Sequence, residues 1–206
     1  YDGKKHIINL KSCFIPETRV QVYFIENNTL YKSLPELIYK ARNGRVFSDI
    51  DFRFTFFAKA AVHTLTSMFW APDVLVCNDW QTSFVPTLLK EQYQGDEFYA
   101  NMKSVYIIHS VNNYRKYAKT AYSAVDIVPS EKGKTVDNHI RAIQDADLVI
   151  AMNYESKKVI ENMQKQKKLF EAFEDADSMI IDVPKKTDRS FWKDTANTIE
   201  SACREL

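Results

Sequence analysis

Short runs of consecutive apolar residues punctuate this chain: Val74-Leu75-Val76-Cys77, Ser104 through Ile108 (SVYII), Asp147 through Met152 (DLVIAM) and Met179 through Val183 (MIIDV). Each is too short for a helix and lacks polar alternation, the pattern of a strand buried on both faces. Between them the apolar residues recur at helical spacing. Phe52, Phe56, Ala60 and Leu65 predict a helix capped by Ser48 or Asp49 and running to about Phe69. Further helices are predicted over 81–92, 136–146, 156–173 and 187–205, with Pro86 tolerable in a first turn or as a kink. Ahead of these, residues 5–10 and 19–26 are β-branched runs separated by a turn containing Pro16. Residues 27–48 read as a long loop with a short helix near 34–40. Short apolar strands alternating with amphipathic helices imply an α/β, Rossmann-like fold: a mainly parallel sheet with helices on both faces. The runs at 74–77, 105–108 and 148–151 are its expected adjacent central strands.

Composition narrows the class. With 206 residues, 45% of them hydrophobic, the chain can bury a core without disulfide or metal staples, and it is expected to form one domain over 1–206. Its 28 basic and 27 acidic residues nearly cancel, so no global field argues for a nucleic-acid or membrane partner. The clusters Lys165-Gln166-Lys167-Lys168 and Lys185-Lys186 sit beside acidic residues and read as solvated faces. Cys13, Cys77 and Cys203 are scattered without a CxxC spacing, the usage of a reducing compartment. No run approaches the roughly 18 to 20 apolar residues of a membrane span, and no signal-peptide pattern opens the chain. A cytoplasmic location is therefore expected. The chain opens at Tyr1 with no Met, which leads us to expect truncation at the N-terminus.

Ligands of open α/β sheets bind beyond the carboxyl ends of the strands. That rule nominates Asn78-Asp79-Trp80-Gln81, His109-Ser110 and Asn153-Tyr154 as one polar rim. Each group has a plainer reading: Asp79 as a helix cap, Trp80 as a core residue, His109 as a strand-end histidine bonded to backbone. Their convergence is what argues for a site. The four glycines, at 3, 44, 95 and 133, form neither GxGxxG nor a P-loop, and no GxSxG elbow is present. His6, His63, His109 and His139 lack zinc-ligand spacing, so neither a cofactor nor a metal is expected.

At these residues the sequence resembles the bacterial glycogen and plant starch synthases (glycosyltransferase family 5). Val22-Tyr23-Phe24-Ile25-Glu26-Asn27 resembles their VYFIDN segment, and Asp51-x-Arg53-Phe54-x-Phe56-Phe57-Ala58-Lys59-Ala60-Ala61 their D-x-x-RF-x-FF-x-RAA helix. Pro72-Asp73-Val74 through Trp80-Gln81 is similar to their PD strand and HDWH. Residues 103–110 are similar to KxVxTIHN, and 142–161 to GLxxADxVxTVSPxYAxEI. The resemblance implies half of a GT-B fold, whose parent enzymes transfer glucose from ADP- or UDP-glucose to an α-1,4-glucan without a metal. It implies a catalytic role beside the reacting sugar for His109, and substrate binding by Asp79, Trp80, Gln81, Ser110 and Asn153. Asp51 and Arg53 would brace the helix below.

Departures temper the implication. Asn78 replaces the first His of HDWH, Ser110 replaces Asn, and Asn112-Asn113-Tyr114-Arg115-Lys116 replaces a glycine-bearing loop. The KxGGL loop and the donor-binding second domain have no counterpart in the chain, and 182–206 reads as a closing helix. The chain is therefore expected to be inactive alone, with an α-glucan or small sugar as ligand and a second domain or a homo-oligomer as completion. Two other readings stay open: a non-catalytic carbohydrate-binding or protein-interaction module, and a Rossmann-like domain whose similarity is of fold alone.

Overall fold

The computed structural model describes residues 1–31 and 39–206. Its strands are β1 (Asn9–Phe14), β2 (Gln21–Glu26), β3 (Val74–Asn78), β4 (Lys103–Ile108), β5 (Lys116–Ala118), β6 (Thr135–Asp137), β7 (Leu148–Tyr154) and β8 (Ser178–Val183). Its helices are α1 (Ile50–Ser67), α2 (Phe84–Gln92), α3 (Lys119–Ser123), α4 (Asn138–Asp145), α5 (Val159–Gln164), α6 (Lys167–Asp175) and α7 (Arg189–Arg204). The four apolar runs form one parallel sheet in the order β3-β4-β7-β8. Val76 lies opposite Val105, Ile108 opposite Ala151 and Asn153 opposite Asp182.

Alternation along the strands decides the layering. Cys77, Tyr106, Ile108, Val149 and Ala151 face a core shared with Phe84, Leu88, Ile143, Met163 and Leu169 from α2, α4, α5 and α6. Val105, Ile107, Leu148, Ile150 and Met152 face the other way, onto Phe191, Ile199 and Ala202 of α7. This two-sided burial is why β4 and β7 read as unbroken apolar runs. Local caps set the helix starts: Asp188 accepts from the Phe191 N–H at 2.8 Å, and Asp137 from the His139 N–H at 3.2 Å. Pro86 falls in the first turn of α2, where its missing N–H costs nothing.

Several expectations need correction. The strands at 74–77, 105–108 and 148–151 are adjacent and parallel, but β3 lies at the edge of the sheet and Val76 is 45% exposed. The reason is that β1 and β2 do not join this sheet; they form a separate antiparallel hairpin. The first strand spans Asn9–Phe14 rather than 5–10, because the turn fixes the register. Ile15 N–H donates to Val20 O at 2.9 Å, which sets Phe14 opposite Gln21 and Asn9 opposite Glu26. The helix expected over 156–173 starts at Val159, because Lys158 ahead of it is left-handed (φ 48°), and it is two helices, because Gln166 breaks the path. The Gln166 side chain accepts from Arg115 instead of continuing the helix face. Residues 135–137 begin not α4 but a strand pairing with β5, and 81–83 form a turn ahead of α2. The short helix expected near 34–40 falls largely on 32–38, outside the described residues; Lys40 bridges Val46.

Candidate functional site

Asp79 follows β3 directly in the left-handed region (φ 59°), which Asp tolerates better than most side chains. Its N–H still donates to Ile107 O at 2.7 Å, so the ladder continues while the chain turns. That turn aims the carboxylate across to the end of β4. Oδ1 accepts the His109 N–H at 3.3 Å, and Oδ2 accepts the Ser110 hydroxyl at 2.7 Å. Asn112 adds a donation to Ser110 Oγ at 2.9 Å. Asp79, His109 and Ser110 thus meet at the carboxyl end of the sheet.

The His109 ring is held on both sides. Nε2 lies 3.0 Å from Asn78 Oδ1, and Nδ1 lies 2.9 Å from the Tyr154 hydroxyl. An amide oxygen only accepts, so Nε2 carries the proton and Nδ1 accepts from Tyr154. Burial lowers the imidazole's pKa, Asp79 partly opposes this, and Lys157 adds to it. The ring is therefore neutral near pH 7. Burial, with the charge of Asp79, also raises the Tyr154 phenol, keeping it a donor. Lys157 Nζ sits 4.5 Å above the Tyr154 ring.

The remaining nominees diverge. Trp80 is 2% exposed and packs on Phe54, Tyr39 and Tyr114 with ring centroids 4.9, 5.4 and 5.4 Å away. It is a floor beneath the rim and not a sugar platform, because the chain after Asp79 turns inward. Gln81 is half-buried, with an amide oxygen that has no hydrogen-bond partner among the described residues. Asn153 stands one strand further along: it donates to Asp182 Oδ1 at 2.7 Å and accepts the Ile160 N–H at 3.2 Å. With Tyr154, Lys158, Glu161 and Asp182 it lines a cleft of about 560 Å³. Asp51 ties α1 to β5 by accepting the Ala118 N–H at 2.8 Å, while Arg53 donates to Leu30 O and pairs with Asp49 at 2.9 Å. Both residues anchor the first turn of α1. Sequence reasoning missed Tyr106 and His139 under the rim, since a His on an amphipathic helix carries no signal of its own.

The family model of the starch synthase catalytic domain matches residues 4–172. The chain belongs to this family. Among curated relatives, the glycogen synthase of Chlorobium chlorochromatii is 33% identical over 116 residues, covering 55% of this chain and 22% of that protein. The glycogen synthase of Desulforudis audaxviator is 39% identical over 101 residues, 48% of this chain and 18% of that protein. The chain thus spans about a fifth of the length of these relatives. Among solved structures, the catalytic domain of starch synthase IV from Arabidopsis thaliana, bound to ADP and acarbose, matches with a TM-score of 0.67 at 19% identity. That match covers 93% of this chain and 40% of the other, and it carries the fold: the starch synthase-family domain has the parallel sheet of a GT-B half. Among its described residues, no three His, Cys, Asp or Glu side chains are grouped to hold a metal ion, and no helix is long and apolar enough to cross a membrane.

Proposed function

We propose that this domain is the acceptor-side half of a glucosyltransferase and that its rim of Asn78, Asp79, His109, Ser110 and Tyr154 engages the end of an α-1,4-glucan. The observation that carries the reading is the joining of two strand ends through Asp79, which bonds both the His109 N–H and the Ser110 hydroxyl. A neutral imidazole offers a sugar hydroxyl one donor, Nε2–H, once Asn78 gives way. The Asp79 carboxylate supplies acceptors beside it. Gln81 and Asn153 extend the polar lining, while Trp80 acts from below by holding the turn.

In this reading the donor is ADP- or UDP-glucose, no other cofactor or metal takes part, and the rest of the nucleotide site comes from a second domain or a second copy. Orientation accelerates a reaction only when both reactants are held. A departing nucleotide diphosphate also needs cations or amides aimed at it. We therefore expect glucan binding at about the millimolar end of the affinity scale, with no transfer by the chain alone. A second reading, a binding module without catalysis, is favoured by one detail: Asn78 occupies the imidazole donor in the free protein.

The test pairs two measurements on residues 1–206. Titration with maltooligosaccharides should move the amide resonances of His109 and Ser110, and flat resonances would remove the glucan site. A transfer assay with radiolabelled donor and glycogen should give no product for the wild type or for His109→Ala. Turnover that His109→Ala abolishes would show that this half suffices.

A further inference from the structure

His139 is fully buried in the first turn of α4, directly under the rim. A buried imidazole loses its hydration and is tolerated where both ring nitrogens find partners. Nε2 lies 2.9 Å from Ser110 O, and Nδ1 lies 2.5 Å from the hydroxyl of Tyr106, itself fully buried in β4. A carbonyl only accepts, so Nε2 carries the proton, Nδ1 is bare, and the Tyr106 hydroxyl donates to it. The relay has one direction: Tyr106 O–H to His139, then His139 N–H to the Ser110 carbonyl. The imidazole is itself placed by the helix cap, because Asp137 accepts the His139 N–H at 3.2 Å and is held by Arg115 at 2.9 Å.

Ser110 is thereby gripped at two atoms, its carbonyl from below by His139 and its hydroxyl from the side by Asp79 at 2.7 Å. We propose that Tyr106 and His139 are a positioning pair: they fix the Ser110 carbonyl and through it the geometry of Asp79 and His109 at the rim, without touching ligand. An apolar side chain of similar size would fill the space but leave the Ser110 carbonyl unanchored. The consequence for ligand rests on the glucan reading above; the consequence for the rim does not.

The test uses three variants of the 15N-labelled chain. Gln at this position can present an N–H where Nε2–H lies, so His139→Gln should leave the His109 titration midpoint within a few tenths of a unit. His139→Leu keeps bulk without a donor and should move that midpoint up by about one unit, a tenfold change in protonation equilibrium, as the rim loosens and hydrates. Tyr106→Phe removes only the hydroxyl that holds the ring at Nδ1. The Ser110 carbonyl should keep the His139 ring an Nε2–H tautomer, while the loosened ring moves the His109 midpoint in the same direction as Leu. Maltooligosaccharide affinity should fall by roughly fivefold in His139→Leu and Tyr106→Phe and be retained in His139→Gln.

Equal His109 midpoints in Leu, Gln and wild type would overturn the pair's role, as would equal shifts in Leu and Gln. If the substitutions at 139 do not fold, Tyr106→Phe decides alone: an unchanged His109 midpoint refutes the proposal and a raised one supports it. Failure of the wild type to bind glucan while the midpoints shift as stated would defeat the glucan reading and leave the positioning pair standing. Glucan binding with unmoved midpoints would do the reverse.

Discussion

Two strands of this domain carry nearly the same sequence and meet opposite fates. Val105-Tyr106-Ile107-Ile108 in β4 is buried throughout, whereas Val22-Tyr23-Phe24-Ile25 in β2 leaves Phe24 50% exposed. Neighbours make the difference. β4 has β3 and β7 on its two edges and helices on both faces. β2 pairs with β1, and its packing rests on Ile25 against the small Leu30–Phe56–Ala60 cluster and on Tyr23 near Trp70, 6.3 Å between centroids. A lone two-stranded hairpin is marginal in water. The lesson is that an apolar, β-branched run specifies a strand, while burial is decided by what the chain brings alongside it.

The sharpest way to break this comparison is to remove side-chain bulk from each strand system. Ile150→Ala empties a fully enclosed position in β7 and should destabilise by about 2–5 kcal/mol. Phe24→Ala should change stability by no more than about 0.5 kcal/mol, the range of surface substitutions. Urea unfolding of both variants measures the contrast. A comparable loss from Phe24→Ala would mean that the hairpin is part of the cooperative core.

Acid probes the sheet through a different term. Burial, with a smaller contribution from Arg115, pushes the His139 imidazole down from 6.5 to about 3, against an opposing bond to Ser110. With the folded value below the unfolded one, the unfolded chain takes up the proton first. This stability is complete above about pH 6.5 and is lost as pH falls toward 3, at up to about 1.4 kcal/mol per unit within that window. Stability measured across this range should lose most of that slope in His139→Gln. An unchanged slope would assign the acid sensitivity elsewhere.

How much of this was legible in the sequence follows from which forces are local. The parallel sheet was, because two-sided burial demands unbroken apolar runs. The meeting of Asp79 with His109 was, because parallel neighbours must end on the same side. The edge position of β3 was not, since its Val-Leu-Val-Cys run looks as central as β4. The hairpin register depended on one turn bond at Ile15, and the break between α5 and α6 on the capture of Gln166 by Arg115 across 51 residues. The ring partners of His109 and the edge-on and tilted rings packed around Trp80 likewise come from distant segments. Trp80 could be read as platform or core from sequence alone, and only packing decides for core.

The junction between the two regions offers a smaller effect of opposite sign. Phe69 follows α1 in the left-handed conformation (φ 51°) with its ring 92% exposed, while the Trp70 N–H closes the helix end on Leu65 O at 3.0 Å. This is the position where Gly is favoured, because a Cβ there costs roughly 1 kcal/mol. Phe69→Gly should therefore stabilise the domain, by somewhat less than that figure once the freer unfolded chain is counted. A lower melting temperature would show that the exposed ring contributes packing to the hairpin side.

The smallest expected effect lies within the hairpin itself. Lys11 Nζ and Glu26 Oε1 are 2.8 Å apart across the pair of strands, yet the two side chains are 67% and 45% exposed. Water screens such a pair, and holding two long side chains in one geometry costs rotamer entropy. The register places Lys11 opposite Phe24 and Glu26 opposite Asn9, so the pair is diagonal and not directly cross-strand. Glu26→Gln, which keeps the shape and removes the charge, should then cost at most about 0.5 kcal/mol and less at high salt. Thermal unfolding of this variant at low and at high ionic strength is the measurement. A loss above about 1 kcal/mol, insensitive to salt, would mean that this ion pair is shielded from solvent, and the hairpin would then belong energetically with the sheet.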